Sequence, residues 1–87
     1  MAKVMHFQTG SGWNRNGAYA ARDTFVNVAR RFESDILLTA NGRRANAKDG
    51  MAIDALRVRS GTAAQVLVAG PDEDAALQAL LPLLQGG

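Results

Sequence analysis

The sequence contains no cysteine, so neither a disulfide nor a thiolate metal site can form. It has a single histidine, His6, which argues against a zinc centre. No apolar run approaches the roughly 20 residues of a membrane span. The N-terminus has no apolar segment of the signal-peptide kind. An excess of one charge is missing too: ten basic against eight acidic residues leave +2, too little to imply a nucleic-acid partner. The absences together predict a cytoplasmic protein with no cofactor and no metal, whose partners are neither nucleic acid nor membrane.

What is present is ordinary for a globular domain: 87 residues, 47% apolar and 21% charged. That length gives one domain, 1–87, able to bury a core unaided. The most distinctive run is Asn41-Gly42-Arg43-Arg44-Ala45-Asn46-Ala47-Lys48-Asp49-Gly50-Met51. Asn41-Gly42 is a strong hairpin signal, because both residues tolerate the positive φ of a two-residue turn. It predicts a strand over 36–40 leading in and another over 43–46 leading out. A short helix follows from Asp49 to about Ala55, with the Asp49 carboxylate at its positive end. The surface from Lys48 to Met51 is expected to take part in function.

Earlier in the chain, residues 2–9 read as a strand, with Met5 and Phe7 on one face and Val4 and His6 on the other. His6 reads as a half-exposed strand residue rather than a general base. Gly10 to Gly17 is a glycine-rich loop holding the only tryptophan, Trp13. Because it precedes a helix it is a possible anion cradle. It fits no dinucleotide fingerprint, since Arg15 stands where the third glycine belongs. From Ala18 to Phe32, apolar residues at Ala18, Ala21, Phe25, Val28, Ala29 and Phe32 form one helical stripe. Residues 63–69 alternate as a buried strand. Gly70-Pro71-Asp72-Glu73-Asp74 opens a last helix with apolar positions Ala76, Leu77, Leu80, Leu81 and Leu84. Pro82 is expected to kink or end that helix. The order strand, helix, strand, strand, short helix, strand, helix predicts an α+β sandwich, with helices on one face of a four-stranded sheet.

These elements, with "NGRRANAKDGM" and "GPDEDAALQAL", resemble the HPr family, the histidine-containing phosphocarriers of the bacterial sugar phosphotransferase system. The resemblance covers residues 2–85 and implies the family's α+β open-faced sandwich, a four-stranded antiparallel sheet with three helices, two long and one short, on one face. It also implies protein partners: the system's enzyme I, or a transcriptional regulator. The family's G-[LI]-H-A-R-P motif starts its first helix and holds the phospho-accepting histidine. Here that stretch is Asn16-Gly17-Ala18-Tyr19-Ala20-Ala21-Arg22. Counting back from Phe32 places Ala18 at the histidine position, while anchoring on Gly17 places Tyr19 there. The family's regulatory serine corresponds to Asp49, and its next residue, an aliphatic one, to Gly50.

Three functions follow. In the first the chain is no enzyme but a regulatory or protein-interaction module. Asn16, Gly17, Tyr19 and Arg22 then bind an anion or partner, and Lys48, Asp49, Gly50 and Met51 form the second part of the surface. In the second it is a phosphocarrier with an unusual acceptor, Tyr19 or His6. In the third it is an engineered or repurposed scaffold whose Gly10–Asn16 loop has been rebuilt to bind a small anion or peptide, through Trp13 flanked by Asn14, Arg15 and Asn16.

Overall fold

The computed structural model describes residues 2–86. Four strands, β1 (Lys3–Gln8), β2 (Asp35–Ala40), β3 (Arg43–Asn46) and β4 (Ala63–Ala69), form one sheet. Its order is β1-β4-β2-β3 and every pairing is antiparallel. Three helices complete the chain: α1 (Ala18–Ala29), α2 (Gly50–Ala55) and α3 (Glu73–Gln85). The expected α+β open-faced sandwich is therefore what the chain adopts.

Strand alternation sorts the sheet into two faces. Phe7, Ile36, Leu38, Ala40, Ala45, Ala64, Val66 and Val68 are buried on one side, with Phe25, Val26, Ala29, Ile53, Leu80 and Leu84 of the helices in the same core. Burying each large aliphatic or aromatic side chain contributes roughly 1.5–3 kcal/mol before entropy is counted. His6, Gln65 and Thr39 line up across the other face, as their register pairs His6 with Gln65 and Gln65 with Thr39. Asn41 and Gly42 make the hairpin turn with φ of 53° and 77°, the positive values that a tight turn requires.

Met5 shares Phe7's face yet is exposed, on a strand at the edge of the sheet. The structure corrects three expectations. Helix α1 stops at Ala29: the next amides, Arg31 and Phe32, bond back three residues to Val28 and Ala29, tightening the chain out of α geometry. Val26, outside the expected stripe, is buried, so α1 buries a wider face than that stripe. Pro82 does not end α3, which runs on to Gln85. The missing amide deprives only the carbonyl of Gln78, and Gln78 is exposed to water.

The last turn of α3 is capped by the loop after β1. The amide of Gly10 donates to Leu84 O at 3.0 Å, and Trp13 Nε1 donates to Leu83 O at 3.0 Å. Both acceptors belong to the C-terminal turn, whose carbonyls have no helical partner. Gly10 is required by this approach: a Cβ there would lie 2.2 Å from the carbonyl oxygens of Gln85 and Gly86. Trp13 itself is only 2% exposed and meets Phe25 edge-on, ring centroids 6.3 Å apart. The loop is thus part of the core, and Trp13 is no exposed ligand-binding aromatic.

Candidate functional site

The start of α1 is built by the loop before it. Asn14 Oδ1 accepts from the amides of Asn16 at 3.0 Å and Gly17 at 2.8 Å. This turn delivers Gly17 as the N-cap, with no side-chain cap bond, and Ala21 N bonds back to Gly17 O. The amides of Ala18, Tyr19 and Ala20 have no acceptor among the described residues. Such a helix start carries partial positive charge. Ala18 is buried, whereas Tyr19, one residue on, is 67% exposed.

Arg22 joins α1 to α2. Its Cζ lies 4.9 Å from the centroid of the Tyr19 ring, one helical turn earlier. Its guanidinium pairs with Asp23 Oδ1 at 3.0 Å and Asp54 Oδ1 at 3.1 Å. The hydrogen bond to Asp23 raises the already high pKa of Arg22, partial burial opposes this, and the charges of Asp23 and Asp54 add to the rise. Tyr19 and Arg22 are therefore held together on one surface, beside α2.

On α2, Asp49 is the N-cap. Its Oδ1 accepts from the amides of Met51 at 3.1 Å and Ala52 at 3.2 Å, so its carboxylate is occupied in starting the helix. Met51 is 85% exposed. Lys48 is tied into the fold: its ammonium donates to Phe32 O at 2.7 Å, and its carbonyl accepts from Arg30 Nε at 2.9 Å. Gly50 is the first residue of α2 and a Cβ there would meet open space. The two groups of residues singled out in the sequence thus lie on adjoining helices, with Arg22 and Asp54 as the link.

A cleft between the helices is lined by Trp13, Arg15, Ala18, Tyr19, Arg22, Ile53, Asp54, Val58 and Arg59, with a volume of about 30 Å³. That holds roughly a water molecule, so the face suits a partner's surface rather than an enclosed metabolite. Sequence reading named Arg15 only as part of the loop before α1 and missed Arg59 and Asp54 as members of the cleft. Only folding brings them together, although Asp54 at a mid-helix position beside the buried Ile53 is a signal in hindsight. Among the described residues no group of three His, Cys, Asp or Glu could hold a metal. None of their helices is long and apolar enough to cross a membrane. His6 is not part of this face. It sits on the side of the sheet opposite Phe7, with the sheet between it and α1.

Three helices on one side of a β1-β4-β2-β3 sheet define a class of small open-faced sandwich proteins. Residues 16–85 match the family described as PTS HPr component phosphorylation site. The chain is 40% identical over 73 residues to the phosphocarrier protein HPr of Treponema pallidum, covering 83% of each. It is 39% identical over 61 residues to the HPr-like protein Crh of Bacillus subtilis, covering 70% of this chain and 72% of that protein. Its backbone matches the crystal structure of the phosphocarrier protein HPr from Bacillus anthracis with a TM-score of 0.84, at 30% identity, over 97% of this chain and 98% of the other. The chain belongs to the HPr family. Its one histidine, His6, lies outside the matched span.

Proposed function

We propose that this chain is a cytoplasmic, non-enzymatic HPr-family module that docks on a protein partner of the phosphotransferase system and does not carry phosphate. The observation that carries this is the start of α1: an intact helix terminus with Ala18 buried, Tyr19 exposed and no imidazole. A carrier needs a group that accepts a phosphoryl and gives it up again. A phenol's phosphate ester is a poor onward donor. His6 has the chemistry but the wrong side of the sheet. What survives is the surface. Tyr19 and Met51 are exposed on adjoining helices, and the partly covered Arg22 lies against the Tyr19 ring, an aromatic, cationic and thioether composition of the kind enriched at interfaces.

The partner is enzyme I of the system or a transcriptional regulator. The likeness to Crh, named an HPr-like protein rather than a phosphocarrier, favours the regulatory reading. Asn16, Gly17, Tyr19 and Arg22 form one half of the docking face. Lys48, Asp49, Gly50 and Met51 form the other, with Lys48 and Asp49 acting mainly by holding α2 in place. Calorimetric titration with purified enzyme I, and with an HPr-binding regulator, tests this. Binding to either one that Tyr19→Ala with Met51→Ala abolishes supports the proposal. Binding unchanged by the double variant, or absent with both proteins, contradicts it.

A further inference from the structure

The tip of the β2–β3 hairpin faces the C-terminal end of α2 across a groove of about 330 Å³, lined by Asn41, Arg43, Ala55, Leu56 and Arg57. Asn41 and Arg57 are the only non-glycine residues with positive φ among those described, at 53° and 56°. Asparagine tolerates that conformation, but arginine there is uncommon, and the position just past a helix end is one where glycine is the usual residue. The two left-handed residues are tied together: Asn41 Nδ2 donates to Leu56 O at 2.7 Å and to Arg57 O at 3.3 Å.

This framework presents two exposed guanidinium groups. Neither Arg43 nor Arg57 has a side-chain hydrogen bond or ion pair among the described residues, and no carboxylate lines the groove. The contrast is with Arg22, which has two aspartates, and with Arg30 and Lys48, which bond backbone carbonyls. Arg59, two residues past Arg57, lines the neighbouring cleft and likewise has no ion pair among the described residues.

We infer that this groove is a second docking site, one that takes an acidic segment of a partner protein. The guanidinium fork bonds a carboxylate with two parallel N–H groups, and the Ala55 and Leu56 floor accepts the methylene stem of a glutamate. The chain as a whole does not favour a polyanion, since its charge is nearly balanced at +2 with eight acids. A local, carboxylate-sized recognition site fits that balance better than an extended phosphate backbone or a lipid surface does. A left-handed arginine where glycine is easier is explained if the charge is what the position is for.

The test uses the 87-residue chain, 15N-labelled and titrated with a hexaglutamate peptide. The expected result is amide shifts confined to residues 41–43 and 55–59, with affinity lowered about tenfold by either Arg57→Gly or Arg43→Ala, as for one lost charge-assisted bidentate bond. Arg57→Gly relieves the backbone, so its melting temperature is expected to hold or rise while binding falls. A merely structural Arg57 predicts the rise without the loss. Tyr19→Ala is expected to leave the titration unchanged, which separates this result from docking at the α1–α2 face. Shifts spread over Arg30 and Arg31, affinity unchanged in Arg57→Gly, or tighter binding to a short RNA or to phosphatidylglycerol vesicles would overturn the inference.

Discussion

The Tyr19 ring lies under the Arg22 guanidinium, 4.9 Å from centroid to Cζ, and Arg22 in turn reaches Asp54 on α2. One exposed aromatic is thereby fixed by a cation anchored on the neighbouring helix. Tyr19→Ala is expected to lower partner affinity about tenfold or more, the range of an aromatic anchor at an interface. The melting temperature should change little, because the ring is mostly in solvent. Calorimetric titration beside thermal unfolding checks both parts.

Trp13 and Leu83 show the opposite use of an aromatic. The indole is in the core and its N–H serves a carbonyl at the end of α3. Trp13→Phe removes that donor and leaves the carbonyl short of a partner, at a cost of about 1–3 kcal/mol. Trp13→Ala adds a cavity and is expected to cost about 3–5 kcal/mol. Gly10→Ala, which drives a methyl group into the carbonyls of Gln85 and Gly86, is expected to cost about 1–3 kcal/mol. Urea unfolding of the three variants gives these values, and equality with the parent protein would refute the capping role of the loop.

Asp49 is expected to behave as a helix cap. Asp49→Ala should lose about 0.5–2 kcal/mol, while Asp49→Ser, which can also cap, should lose much less. If Asp49 acts on partners only through α2, binding follows stability across the two variants. Binding that falls equally in both while only Asp49→Ala is destabilised would instead give the charge itself a role in docking.

Asp72 supplies a pH dependence. Its carboxylate accepts from the Ser34 hydroxyl and from the amides of Ser34 and Glu33, the last two at 2.9 Å. The Ser34 hydroxyl, first among these donors, holds its pKa below the ordinary 3.8. A group whose pKa is depressed by folding contributes fully above its unfolded value, and the contribution is lost as pH falls through the folded one. Stability is therefore expected to drop as the pH is taken below about 3.8. Asp72→Asn should flatten that part of the profile, which thermal unfolding from pH 2 to 7 would reveal. An identical slope in the variant would contradict the assignment.

Much of the fold is legible along the chain because local signals agree with the tertiary structure. Asn41-Gly42 marks its hairpin, Ala63 to Ala69 alternates as a half-covered strand, and Asp49 announces the helix it caps. What escapes is non-local. Trp13 reads as a loop residue because its partners, Leu83 and Phe25, are 70 and 12 positions away. Pro82 reads as a kink or an end of the helix because periodicity carries no information about the loop that caps the turn beyond it. Alternation puts Met5 on Phe7's face but cannot show that β1 is an edge, where Met5 stays exposed. The site is legible only in part for the same reason. Tyr19 and Arg22 are a turn apart in sequence, but their union with Asp54, Arg15 and Arg59 exists only once α2 and the connector after it fold against α1.

The central claim, a docking module that keeps the family's surface without carrying phosphate, is tested most directly by intact-mass spectrometry. The chain is incubated with enzyme I and phosphoenolpyruvate at alkaline pH, where a phosphohistidine survives, beside a working HPr. The account predicts no mass gain in this chain while the HPr gains one phosphoryl group. A stoichiometric gain would contradict it, and mapping the group to Tyr19 or His6 would make the chain a carrier after all.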